Sequence, residues 1–159
     1  MVWDKKYHIQ KWLDFYAIPL IITIVCFIPF FNFSGSELYS SLTGIYVLYI
    51  TITTLILSIT FVVISIAPTM MQKELTPYGT PVSTSFLDSI RLLYVNLRIL
   101  YFCFLGIIFS LIGYIFTTVH FLSDILLKGL FCVDTFFTTA SLFGLALLTG
   151  MLMKKIKAS

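Results

Sequence analysis

Residues 42–67 read LTGIYVLYITITTLILSITFVVISIA, twenty-six consecutive positions without a charged side chain. That is too long for a core strand and too uniformly apolar for a helix with one wet face. As an α-helix at about 1.5 Å per residue it measures roughly 39 Å, more than a hydrocarbon core of about 30 Å, which predicts a tilted transmembrane helix. The whole chain has the same character. Of its 159 residues 59% are hydrophobic and 11% charged, the mean hydropathy is +1.02, and no soluble domain class is built that way. The net charge of +3 does not indicate nucleic acid as a partner.

Working outward, the N-terminal stretch MVWDKKYHIQKWLD mixes Trp3, Tyr7, Ile9, Trp12 and Leu13 with Lys5, Lys6 and Lys11. Aromatic rings at headgroup level and lysines reaching into water predict a short interfacial helix. The first span is expected over 15–33. No A-x-A-like cleavage site follows it, so it reads as retained rather than as a signal peptide. Pro19 and Pro29 lie inside it, and each removes a backbone donor, which predicts a kink unless a hydroxyl or neighbour re-satisfies the freed carbonyls. The linker NFSGSELYSS leads into the second span, 42–67, and contains a weak glycosylation sequon at Asn32.

Beyond Pro68, the stretch TMMQKELTPYGTPVSTS reads as a turn-rich loop. From Thr84 the apolar residues Phe86, Leu87, Ile90, Leu93, Tyr94 and Leu97 recur at helical spacing among Asp88, Arg91 and Asn96, the pattern of an amphipathic helix. It runs without a breaker into the third span, 99–118. The fourth span, counted back about 20 residues from the basic tail, covers 134–153. The expectation is therefore a single all-α domain of four transmembrane helices. An interfacial helix precedes them, a cytoplasmic loop covers about 68–98, and an amphipathic extension leads into the third span.

Orientation follows from the basic residues. Lys5, Lys6, Lys11, Lys73, Arg91, Arg98, Lys154, Lys155 and Lys157 fall on one side of this topology and Lys128 on the other, which predicts an inner-membrane protein with both termini cytoplasmic.

Chemistry is sparse. Cys26, Cys103 and Cys132 show no CxxC spacing and read as small buried hydrophobes. His8 and His120 fall on opposite faces of the membrane and cannot share a metal. The sequence has no HExxH, nucleophile elbow or phosphate-binding loop. The chain therefore reads as a non-enzyme with no cofactor. A carboxylate inside a span is by default a functional hypothesis, but the span count places Asp134 at the outer headgroup boundary, where a charge costs little. Thr51, Thr54 and Ser58 lie near one face of the second span. They bond to their own helix, hold a neighbour or, with Asp134, line a polar pathway.

Gly106, Ser110 and Gly113 stripe the third span, as Ala140 and Gly144 do the fourth, and small residues let helices approach closely. They are read as the packing face of a homo-oligomer. On the cytoplasmic side, Pro77, Tyr78 and Gly79 form a turn flanked by Lys73, Glu74, Arg91, Arg98, Lys154, Lys155 and Lys157. An aromatic anchor inside a basic rim is a docking surface for a soluble cytoplasmic protein, although anionic lipid also accounts for such charges.

In size, in span count, in the lysine-bearing start MVWDKKYHIQKW and in the basic end MKKIK, the chain resembles the small four-helix membrane subunit of the bacterial antiphage defence system Kiwa. The resemblance spans the whole chain at the level of architecture. It implies a sensor or anchor in a defence complex and assigns no residue a role. The best reading is a self-associating membrane subunit that presents a cytoplasmic docking surface. An oligomeric channel and an inhibitor of another membrane protein are the alternatives.

Overall fold

The computed structural model describes residues 13–73, 84–120 and 122–158, with side chains over 15–65, 90–120 and 122–153. The interfacial stretch through Trp12, and Glu74, Pro77, Tyr78 and Gly79 of the expected docking turn, lie outside the described residues. A π-helical turn, Leu13–Ala17, leads into α1, Ile18–Phe27, and a 3₁₀ turn, Ile28–Phe30. Three long helices follow: α2, Gly35–Lys73, α3, Thr84–Val119, and α4, Asp124–Ala158. No strand occurs among the described residues.

The two prolines break the first helix into these pieces. Pro29 has no N–H to offer the carbonyl of Val25. The N–H of Ile28 closes on that carbonyl instead, and the end of the helix tightens into the 3₁₀ turn. Pro19 falls within the first two residues of α1, where a missing donor is tolerated. Its carbonyl accepts from the Thr23 hydroxyl at 2.8 Å.

The three long helices outrun the boundaries expected from sequence. α2 begins seven residues before position 42 and passes straight through Pro68, with its apolar part at Gly35–Ser65. The apolar part of α3 is Ile90–Val119, so 90–98 belongs to the bundle rather than to a loop. Leu92, Val95 and Asn96 are fully or nearly buried there, and the Asn96 amide donates to the Thr60 carbonyl at 2.9 Å. The apolar part of α4 is Asp124–Met153, beginning ten residues before Asp134. Each of these stretches is long and apolar enough to cross a membrane, and the first apolar segment, Phe15–Phe30, is shorter.

The helices run up, down, up and down. α3 packs against both α2 and α4, and α1 lies on α4, as short connections between antiparallel neighbours require. One end of the bundle, the hairpin end, holds both short connections and is tied by polar contacts. The Gly35 N–H donates to the Asp124 carboxylate at 3.0 Å, and Lys128 donates to the Phe31 carbonyl at 2.9 Å. The Tyr39 hydroxyl donates to the Leu122 carbonyl, and its ring lies 4.5 Å from that of His120. Gly35 and His120 adopt φ of +56° and +53°, one left-handed residue in each connection. His120 and Asp124, four apart in sequence, do not share a helix, because α3 stops at Val119 and Asp124 opens α4.

The interior has two apolar clusters. Leu38, Tyr39, Leu42, Tyr46, Leu127 and Phe131 fill the hairpin end. The other cluster, toward the end carrying Lys73 and Lys154, is built from Phe15, Ile56, Leu92, Ile99, Phe102 and Leu148. Large apolar side chains also cover the outside, among them Ile21, Val25, Leu55, Phe61, Phe104 and Ile115, each more than half exposed. Water disfavours such a surface and lipid accepts it.

Candidate functional site

A polar layer separates the two clusters. Along α4 the inward face reads Leu127, Phe131, Asp134, Thr138, Ser141, Leu148, a helical spacing of three, four or seven residues with polar groups only at its centre. Asp134 is wholly buried, ten residues and about 15 Å along the helix from Asp124. Asp134 thus lies in the interior of the bundle, not at the start of its helix. Counting back from the lysine tail starts the helix at Asp134, whereas α4 begins at Asp124, and Asp124 and Lys128 in its first turns bond to Gly35 and Phe31.

Across from Asp134, α3 presents Gly106, Ser110 and Gly113. The Ser110 hydroxyl donates to Asp134 Oδ2 at 2.6 Å. One turn toward the hairpin end, the tip of the Tyr46 ring from α2 lies against Gly113, where a Cβ would come within 2.4 Å of the ring. One turn the other way, Gly106 meets Thr53 from α2 and the Thr138 hydroxyl of α4, 3.2 and 3.8 Å from where a Cβ would stand. The small-residue face of α3 is thus the seat on which α2 and α4 meet. Gly144 serves likewise inside the chain, with Ile99 and Phe15 2.6 and 2.9 Å from a Cβ, and Ala140 is fully buried. These five residues are consumed within one chain and do not supply the oligomer face read from sequence. A stripe of small residues fixes close approach without saying which helix approaches.

The layer continues in Thr135, whose hydroxyl bonds to that of Tyr49 at 3.1 Å and donates to the Phe131 carbonyl at 2.8 Å. The Thr53 hydroxyl donates back to the Tyr49 carbonyl at 2.6 Å. Three atoms of the layer have no protein hydrogen-bond partner although they are buried: Asp134 Oδ1, the Tyr46 hydroxyl and the Thr138 hydroxyl. Burying a polar group unpaired is costly.

Thr51, Thr54 and Ser58 point elsewhere. All three are exposed on α2, and Thr51 and Ser58 donate to carbonyls one turn back, at 2.9 and 3.0 Å. They share no axis with Asp134 inside the chain. Of the expected docking residues, Arg98 is half-buried with its guanidinium over the rings of Phe15, at 5.2 Å, and Tyr16, at 4.7 Å. Its guanidinium thus packs on two aromatic rings of its own chain. Arg91 lies half-buried on α3, and the backbone of Lys73, Lys154, Lys155 and Lys157 continues helices α2 and α4.

The cysteines are unpaired, and no group of three or more metal-ligating residues gathers among the described residues. Sequence reasoning missed Tyr46 and Thr138. Asp134, Thr138 and Ser141 at i, i+4 and i+7 were the signal available for half of the layer, but the partner residues on α2 and α3 carry none. No protein-family model, curated protein or solved structure matches the chain.

Proposed function

We propose that the protein is a non-enzymatic, four-span subunit of the bacterial inner membrane, with both termini cytoplasmic, that self-associates and presents its basic end to a soluble partner. The observation that carries this reading is an asymmetry between the two ends of the bundle. Lys73 is the last residue of α2, and Lys154, Lys155 and Lys157 lie in the last turns of α4, at the end of the bundle opposite the two short connections, and basic residues stay on the cytoplasmic side. The hairpin end has only short, internally bonded connections. Phe15–Phe30, about 24 Å long, serves as a fourth span by local thinning of the bilayer.

Self-association has a different basis from the stripe on α3. Gly44, Thr51, Ser58 and Ser65 recur every seven residues on α2, and all four are exposed. A seam of small residues with that period suits close packing against a sister helix in lipid. An oligomeric channel has less support, since Asp134 and the exposed hydroxyls of α2 face opposite ways. A role as sensor or anchor in a Kiwa-like defence complex is compatible with the architecture.

The test is co-purification from the native host. Pro77→Ala with Tyr78→Ala should abolish recovery of a specific cytoplasmic protein while leaving membrane insertion and oligomer mass intact. Thr51→Leu with Ser58→Leu should lower the oligomer mass. Equal recovery of the same protein by the Pro77/Tyr78 double variant would refute the docking surface.

A further inference from the structure

The polar layer poses a problem that the docking role does not use. Asp134 is fully buried at mid-bundle, and its one hydrogen bond is the 2.6 Å contact between Oδ2 and the Ser110 hydroxyl. Other hydroxyls of the layer give their protons to the backbone: Thr135, Thr53 and Ser141 donate to the carbonyls of Phe131, Tyr49 and Phe137. The buried Tyr46 and Thr138 hydroxyls make no hydrogen bond to the second carboxyl oxygen, Oδ1.

No opposite charge stands nearby either. Tyr46 and Tyr49 of α2 lie within electrostatic reach of Asp134, Cys132 of α4 within reach of Tyr46, and Cys26 of α1 within reach of Tyr49. Between Cys103 and Tyr114, α3 brings no titratable side chain. None of these groups is a cation. Lys128 stands six residues, about 9 Å, along α4 from Asp134 and bonds to the Phe31 carbonyl. Arg98 stands twelve residues, about 18 Å, along α3 from Ser110, over the rings of Phe15 and Tyr16, and Arg91 is farther along the same helix.

An ionised carboxylate with one donor and no counter-charge is strongly disfavoured between two apolar clusters. A neutral carboxyl asks for far less, because its O–H needs one acceptor and its other oxygen carries no charge. The Ser110 oxygen is that acceptor, since the contact serves equally well with the carboxyl as donor, the direction being set by which oxygen holds the hydrogen.

We propose that Asp134 is a neutral carboxylic acid in the folded bundle, donating from Oδ2 to the Ser110 hydroxyl, and that the α2–α3–α4 junction is thereby a proton-binding site whose occupancy holds the three helices together. This goes beyond the docking role and stands or falls independently of it. Gly106 and Gly113 bring α2 and α4 onto α3 on either side of Ser110, so a charge appearing there meets packed side chains. Loss of the proton therefore forces the layer to separate or to admit water. In the unfolded chain the same carboxyl is hydrated and ionises near pH 4. Above that pH the folded chain holds one proton more than the unfolded chain until Asp134 itself ionises, and over that interval stability falls as pH rises.

The experiment uses the purified full chain in detergent. At neutral pH the infrared spectrum should show the C=O stretch of one protonated carboxylic acid among the seven Asp and Glu side chains, and Asp134→Asn should lack it. The unfolding temperature of the wild type should fall by several degrees between about pH 5 and about pH 8, below the range in which thiols and phenols ionise. Asp134→Asn should lose most of that fall. His8 and His120 titrate in the same window, so both proteins carry His8→Gln and His120→Gln in this comparison. Ser110→Ala should move the acid band to higher frequency, because the carboxyl loses its acceptor. A wild-type spectrum with only carboxylate bands at neutral pH overturns the proposal in favour of a hydrated or ion-paired carboxylate. So does an acid band that persists in Asp134→Asn, or a pH dependence equal in the two proteins. If Asp134→Asn does not fold, an acid band left unmoved by Ser110→Ala overturns it instead.

Discussion

The ring of Tyr46 occupies the space that a side chain at residue 113 would need: its Cζ lies 2.4 Å from where a Cβ of Gly113 would stand, and the ring is fully buried. A glycine in mid-helix costs about 1 kcal/mol relative to alanine, so its presence here is explained by the neighbour rather than by the helix. Gly113→Ala forces a buried ring to move, and overpacking of that kind costs about 1–3 kcal/mol. The same holds for Gly144→Ala against Ile99 and Phe15. Gly129, with nothing within 4 Å of a Cβ, should gain from Gly129→Ala. Unfolding in detergent should therefore rank Gly129→Ala above wild type and Gly113→Ala and Gly144→Ala below it, with oligomer mass unchanged in all three.

Ser110→Ala removes the single hydrogen bond to Asp134 in the bundle interior. The expected loss is about 1–3 kcal/mol, the range for leaving a buried polar group unsatisfied. Thr51→Ala deletes an exposed hydroxyl bonded to its own helix and should stay within about 0.5 kcal/mol of wild type. Unfolding in detergent of the two variants checks the contrast.

Arg98→Ala should destabilise the bundle by about 0.5–2 kcal/mol, the span of a cation over aromatic faces from exposed to desolvated sites. Arg98→Lys should recover only part of this, since an ammonium cannot stack its plane on Phe15 and Tyr16. If Arg98 instead acts through a soluble partner, both variants would keep wild-type stability and lose partner recovery.

Asp124→Ala leaves the Gly35 N–H at the start of α2 without its acceptor. A lost helix cap costs about 0.5–2 kcal/mol, and Asp124→Asn, which keeps an acceptor oxygen, should lose less. Amide exchange should quicken at the first turn of α2 in Asp124→Ala and remain slow at Ile56 and Ile99.

Topology is testable with single cysteines in a cysteine-free background. Ser36, exposed at the first turn of α2, should as Ser36→Cys be reached by a membrane-impermeant thiol reagent on intact cells, whereas Thr80→Cys should not. The opposite pattern would invert the orientation assigned to the basic end.

The amino-acid sequence by itself determined that the chain is helical, where its long apolar segments lie, and that its positive charge gathers at one end of them. Those properties are sums over neighbouring residues: hydropathy over 42–67, the 3.6-residue period from Thr84 and the lysines after Met153 can each be read without knowing what packs on them. Helix ends were less legible, because Asp124 and Lys128 resemble loop charges until the Gly35 N–H is seen to donate to Asp124, and Lys128 to the Phe31 carbonyl, across the hairpin end. Only the tertiary structure decided that Asp134 is interior, that Gly106, Ser110 and Gly113 seat helices of their own chain, and that Thr51, Thr54 and Ser58 face outward. The physical reason is that burial in a helical bundle depends on the rotation of each helix about its axis. Contacts 24 to 97 residues apart, such as Ser110 with Asp134 and Lys128 with Phe31, set that rotation, and no local pattern encodes them.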